Sequence, residues 1–333
     1  MKVGVLQFFS WPDRSRPLEQ VYARALERID VMEDTGYDAV WLAEHHFTGY
    51  SVCPSVHLMG THVAARTRRL RIGTAVTLAA LSHPLRIAEE VALLDVLSGG
   101  RVNWGAGRGF ERSEFEAFGV PIHESAPRFR EAVEIVLAAW TQPRVSFEGR
   151  FHRVKDVELM PKPLQQPHPP TWVAATSEDA IGWAASRGLS ILMDPHSPHA
   201  EIARKREHYR RTLEAAGFGF AGREIPMARL LAIAETASEA EAIARRGASW
   251  TVGAYVHPQL LAGFRPGAER DLDPIEHYLR DVVIHGTPAA VTEQLLRLRE
   301  EMFLSYLMIA PLSEGSFRLF TERVLPHLPA HTP

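Results

Sequence analysis

Residues 70–107 read LRIGTAVTLAALSHPLRIAEEVALLDVLSGGRVNWGAG. The run 70–78 is an apolar strand. Residues 84–100 carry a helical apolar pattern, with Pro84 in the first turn and Gly99-Gly100 at the stop. Residues 101–107 form a second strand. Two strands joined through a helix pair in parallel, because a parallel pair needs a long crossover and an antiparallel pair only a short turn.

The same alternation runs outward in both directions. Strand patterns occupy 2–9, 39–44, 171–176, 189–193, 227–235 and 304–310. Helical patterns occupy 18–36, 54–69, 128–140, 177–188, 199–217, 238–250, 287–302 and 313–328. Eight strands, each followed by a helix, predict an α/β protein with a (β/α)8 TIM barrel in one domain over 1–333; an open doubly wound sheet is the alternative. Two insertions interrupt the rhythm. After strand 4, residues 141–170 combine a hairpin around Glu148-Gly149 with the Pro-rich connector MPKPLQQPHPP. After strand 7, residues 251–285 are weakly patterned and too long for an idle loop, so they read as a lid over a site or as a plain excursion.

The bulk composition narrows the function. The formal net charge is −3, with 46% hydrophobic and 23% charged residues, so no basic field awaits a nucleic-acid backbone. No apolar window reaches the length of a membrane helix, and MKVGVLQFF reads as a first strand, not a signal peptide. The single cysteine, Cys53, excludes an internal disulfide and fits a cytoplasmic protein.

In a barrel, chemistry gathers at the C-terminal ends of the strands. The second strand ends in Glu44-His45-His46. Neighbouring residues on a strand point to opposite faces, so His45 and His46 do not naturally share a metal, and no His-x-His pair exists in the chain. Either histidine suits general acid–base work, because the imidazole titrates near neutrality; a satisfied structural histidine is the plainer reading. The fourth strand runs into GAGRGF. Its Gly105-x-Gly107-x-Gly109 spacing is not GxGxxG, and no acid-terminated strand follows, so a dinucleotide fold is not indicated. Those glycines do permit close approach of a ligand, and Arg108 among them matches phosphate oxygens, against the reading of a surface arginine in a turn. The fifth strand leads to Thr176-Ser177 at a helix start, either an anion site or a simple N-cap.

Together MKVGVLQFF, GYDAVWLAEHHFT, LRIGTAV, SHPLRIAEEVALLDVLSGGRVNWGAGRG and TWVAATSEDAIGWAASRGL resemble the bacterial luciferase-like flavin-dependent monooxygenases. The resemblance implies a barrel that takes up reduced FMN delivered by a separate NAD(P)H:flavin reductase. A C4a-peroxyflavin formed with O2 then oxidises a small organic molecule. Carried onto this sequence, it implies that His45 is catalytic and that Glu44 lies near the ring. Arg108, Arg128, Thr176 and Ser177 would hold the phosphate, with Ala174 on the same strand end. Ala75-Val76 would form a cis peptide under the ring, and Ala106 would stand where the light emitter has a reactive cysteine, which argues against luminescence. The segment MDPHSPH lacks a tryptophan of the light emitter, so the substrate side differs. Phe8, Phe9, Trp11, Phe47, Trp104, Phe110 and Phe115 are expected to wall an apolar cavity, or else to pack the core. Helices 54–69 and 84–97 are expected to carry a homodimer contact, as in similar proteins. An F420-dependent oxidoreductase on the same barrel, a non-catalytic flavin-binding protein and a metal-dependent hydrolase are the alternatives.

Overall fold

The computed structural model describes residues 1–12, 14, 16–254 and 273–329. They belong to two compact units. One comprises Leu6–Asp34 and Asp38–Ala174; the other comprises Met1–Val5, Thr35–Tyr37 and the chain from Ala175 onward.

The first unit contains strands Ala39–Leu42, Arg71–Thr74, Val102–Gly107 and Thr171–Ala174, hydrogen-bonded in that order and all parallel. Trp41 pairs with Gly73, Gly73 with Asn103, and Gly105 with Trp172. A Cβ at Gly73 would lie 2.3 Å from the Trp41 ring, so only glycine admits the indole there. Trp41 meets Trp172 edge-on at 5.4 Å, which places both on one sheet face. The opposite face meets the helices, where Trp104 packs edge-on against Trp140 at 4.9 Å.

Local signals set most helix ends. Ser55 caps Val56–Arg66 by accepting from the Leu58 N–H. His83 and Pro84 start Pro84–Ser98, and Gly99 and Gly100, both at positive φ, stop it. The helix Ser125–Thr141 begins three residues before the expected 128. The insertion after the fourth strand holds an antiparallel hairpin, Val145–Glu148 with Arg153–Val157. The Pro-rich connector is tied down by buried Asp95, which accepts from the Gln165 backbone N–H at 2.8 Å and side-chain amide at 2.7 Å.

In the second unit Tyr306–Pro311 pairs in parallel with residues 2–5 on one side and Pro226–Ile233 on the other. Met193, just past Ser190–Leu192, bridges to Met227. A further parallel strand, Ile284–Gly286, lies against Leu231–Ile233. That strand, and the break of the expected strand 70–78 into Arg71–Thr74 and Thr77–Leu78, correct the expected count of eight. Of the weakly patterned segment 251–285, residues 251–254 complete the helix Ala237–Ala254, and Pro274–Asp281 is a helix capped by Asp273. The lid reading falls largely on 255–272, outside the described residues. No helix among the described residues is long and apolar enough to cross a membrane.

Candidate active site

The chain leaves the strand Ala39–Leu42 and passes directly through Glu44, His45 and His46. The His45 N–H donates to the Cys53 carbonyl at 3.2 Å, which holds this exit against the returning loop. The acids and imidazoles pair crosswise. Glu44 contacts His46 Nε2 at 3.1 Å through one oxygen and accepts from the Leu78 N–H at 3.2 Å through the other. His45 Nδ1 lies 3.3 Å from Oε1 of Glu114, and that same oxygen accepts from the His46 N–H at 2.8 Å. Glu114 comes from the short helix Arg112–Ala117 and is 1% exposed. Tyr50 meets His45 edge-on at 5.3 Å and Phe8 at 5.0 Å. Burial, with a further push from Glu44, lifts the Cys53 thiol to about 12, so it stays protonated and unreactive.

Arg108 follows the strand Val102–Gly107. Its Nη1 donates to the Ser125 hydroxyl at 3.1 Å, and Ser125 opens the helix Ser125–Thr141. The residue keeps surface exposure, yet partial desolvation of the guanidinium pulls its pKa down, and no carboxylate among the described residues offsets that. Arg128 lies one turn along the same helix, where its Nε and Nη2 both donate to Glu124 Oε2, at 3.0 and 2.8 Å.

The peptide bond between Ala75 and Val76 is cis. A Cβ at Gly107 would come within 2.2 Å of Val76 Cγ2, so the bare backbone of Gly107 admits that close approach. Strand alternation turns Ala106 the other way, onto the helix-facing side shared with Trp104. Ala106 therefore does not face the Ala75–Val76 bond, and Gly107 takes its place. Trp104, fully buried against Trp140, is core and not a cavity wall. Behind the cis bond, His57 links Thr77 to Glu90, with Nε2 3.0 Å from Thr77 Oγ1 and Nδ1 2.9 Å from Glu90 Oε2.

The other expected aromatics divide. Phe8 reaches the His45 neighbourhood through Tyr50. Phe47 is 73% exposed at φ 59° and packs on Phe118, which also meets His46 edge-on at 4.8 Å. Phe110 is half-buried, and Phe115 lies buried with its ring against Gly109. Phe9 is buried beside Tyr22. Trp11 donates its indole N–H to the Arg16 carbonyl at 2.8 Å. Ala174 ends the strand Thr171–Ala174 in the first unit, whereas exposed Thr176 and Ser177 belong to the second. Ser177 accepts from the Ala180 N–H at 3.2 Å as an N-cap, and Glu178 and Asp179 already complement that helix start. Sequence reading missed Glu114, Tyr50 and His57, and named Gly107 only as one of the glycines that permit close approach of a ligand. Among the described residues no group of three or more His, Cys, Asp or Glu side chains could hold a metal ion.

Residues 1–305 match the model of a family described as luciferase-like monooxygenase. A protein of Sinorhizobium fredii without assigned function, y4wF, is 41% identical over 51% of this chain and 50% of its own length. The oxygenase component of a flavin-dependent trigonelline monooxygenase from Acinetobacter baylyi is 29% identical over 59% of this chain and 55% of its own. These matches span about half the length of the curated relatives. Among solved structures, the monooxygenase RslO1 of Streptomyces bottropensis superposes with a TM-score of 0.85 at 29% identity, covering 98% of this chain and 99% of that one. F420-dependent enzymes share the fold at lower identity, for example with a TM-score of 0.75 at 17%.

Proposed function

The chain belongs to the luciferase-like monooxygenase family, and from that membership we propose that it is the oxygenase of a two-component system. It takes reduced FMN from a separate NAD(P)H-dependent reductase, uses O2, and oxidises a small apolar or mixed organic molecule. The reading includes a single barrel domain, to whose eight expected strands Ile284–Gly286 is an addition, supported by the fold shared with a solved monooxygenase. It also includes a homodimer through Val56–Arg66 and Pro84–Ser98, whose Leu58, Leu93, Val96 and Leu97 leave apolar surface exposed.

The observation that carries the cofactor reading is Arg108. It is a partly desolvated guanidinium with a serine hydroxyl as partner and, among the described residues, no carboxylate to neutralise it, the arrangement a phosphate would complete. Arg128 stands one turn along the helix that Ser125 opens. The isoalloxazine would lie against the cis Ala75–Val76 bond, beside Gly107, whose missing side chain makes room for Val76. These features fit a flat ring with a phosphate tail.

When bound, reduced FMN supplies the electrons that activate O2. The chain's own residues handle protons and exclude water. Glu114 fixes Nδ1 of His45, so the proton that His45 gives or takes is the one at Nε2. Glu44 orients His46 and, through the Leu78 N–H, pins the backbone just beyond the cis bond. Phe8 and Tyr50 supply apolar surface beside His45, which keeps bulk water from the proton.

Stopped-flow mixing of protein-bound reduced FMN with O2 tests the reading. The expected result is an optical transient that free reduced FMN does not show and that small apolar candidates shorten. Reoxidation of the bound flavin with the free-flavin time course would reject it.

A further inference from the structure

The start of the helix Ser125–Thr141 holds two arginines on one carboxylate, Glu124. Arg128 directs Nε and Nη2 at Oε2 of Glu124, and Arg150 approaches Oε1 at 3.6 Å. Both guanidinia also lie over the Phe151 ring, at 4.4 and 4.8 Å from its centre. Arg108 reaches the same helix end at Ser125, the residue next to Glu124.

Arg150 is not an incidental surface arginine. It sits at the tip of the hairpin inserted after the fourth strand, and that tip is clamped to the helix. Glu131 accepts from the backbone N–H groups of Arg150, Phe151 and His152 at 2.7, 3.0 and 3.2 Å. A Cβ at Gly149 would fall 2.5 Å from Glu131, so the tip approaches as closely as bare backbone allows. The clamp fixes the Arg150 backbone against Glu131, three residues along the helix from Arg128.

Glu124 therefore occupies, between Arg128 and Arg150, the position where the proposed function needs a phosphate. We propose that Glu124 is a placeholder anion, and that a phosphate-bearing ligand takes both arginines from it, which makes Arg150 a phosphate-binding residue supplied by the hairpin. The proposal rests on the reading that the phosphate of reduced FMN lies at Arg108 and Arg128. A resident carboxylate relieves repulsion among the guanidinia in the free protein. A phosphate, carrying about −1.5 to −2 charges and three acceptor oxygens, competes successfully for the arginine forks. Affinity for the phosphate tail is then the difference between the two anions, and removing the weaker one raises it.

The test compares reduced FMN with reduced riboflavin, which lacks the phosphate, by anaerobic titration of wild type, Glu124→Gln, Glu124→Asp and Arg150→Ala. Circular dichroism checks that each variant is folded. Glu124→Gln should tighten FMN by about tenfold, the size of one charge-assisted contact. Glu124→Asp, one methylene too short to reach Arg128, should tighten it as well. Arg150→Ala should weaken FMN by about tenfold for the same reason. Riboflavin affinity should stay constant throughout. Weaker FMN binding by Glu124→Gln, parallel shifts for both flavins, or unchanged FMN binding by Arg150→Ala would overturn the proposal. A wild-type protein that binds the two flavins equally would overturn the phosphate reading beneath it as well.

Discussion

Replacing Glu114 separates geometry from charge at His45. The carboxylate is 1% exposed, and a single oxygen, Oε1, accepts from the His46 N–H at 2.8 Å and contacts His45 Nδ1 at 3.3 Å. Glu114→Ala removes the acceptor of the His46 N–H and the carboxylate at His45 Nδ1. A buried donor left without an acceptor costs about 1–3 kcal/mol, so the variant should lose roughly 1–3 kcal/mol of stability. Glu114→Gln can keep an amide oxygen at the Oε1 position and forfeits only the charge, about 1 kcal/mol. Urea unfolding reads the stability order: wild type, then Gln, then Ala. Stopped-flow reoxidation of bound reduced FMN reads the chemistry. A His45 no longer positioned by Glu114 should change that rate on the order of 10²-fold in the alanine variant, the effect of misplacing a catalytic group by about 1 Å. The glutamine variant should fall between. Reduced-FMN affinity should hold in both, since Glu114 touches neither arginine proposed for the phosphate. If Glu114→Ala reoxidises at the wild-type rate and keeps its urea midpoint, Glu114 does not position His45.

Three further outcomes follow from other groups. Arg108→Ala should leave the fold intact, because among the described residues Arg108 gives only the Ser125 contact, and should weaken reduced-FMN binding by about 1.5–3 kcal/mol in an anaerobic titration; unchanged affinity removes it from the site. Cys53 holds its proton in the folded state up to about 12, so stability should be full below the ordinary value of 9.0 and fall as pH rises from there; Cys53→Ala should flatten that alkaline decline, and the native thiol should resist labelling at pH 8 until urea unfolds the chain. His199 is drawn to about 3 by burial and by Arg229, whose Nε–H donates to its Nδ1 at 3.1 Å, so the unfolded chain takes a proton there first. Its contribution is whole above 6.5 and lost as pH falls toward 3; circular dichroism should therefore show His199→Gln unfolding at lower pH than wild type, and an unmoved midpoint would contradict this.

Much of the fold was readable from 70–107 because Pro84 and Gly99-Gly100 punctuate one helix between two apolar runs. The strand Ile284–Gly286 escaped because three residues, one of them glycine, make no periodic signal. At the site, strand ends were legible as positions, since the apolar runs stop at charged residues. Parity was not. Placing Ala106 one residue from Gly107 exchanges the two sheet faces, and the same alternation carries Trp104 onto Trp140. Glu114 stayed hidden because it meets His45 across 69 residues of sequence from a six-residue helix. Its partnership is tertiary, and no local pattern announces it. The pairing of His46 with Glu44 was likewise invisible, because both imidazoles looked equally available in the sequence.

The central claim is that Arg108, His45 and the Ala75–Val76 turn of one unit receive reduced FMN. Anaerobic titration of the purified protein with reduced FMN and, separately, with reduced F420 measures this most directly. Saturable binding of reduced FMN, tighter than that of F420, is the predicted result. Tight binding of F420 with none of reduced FMN would contradict it.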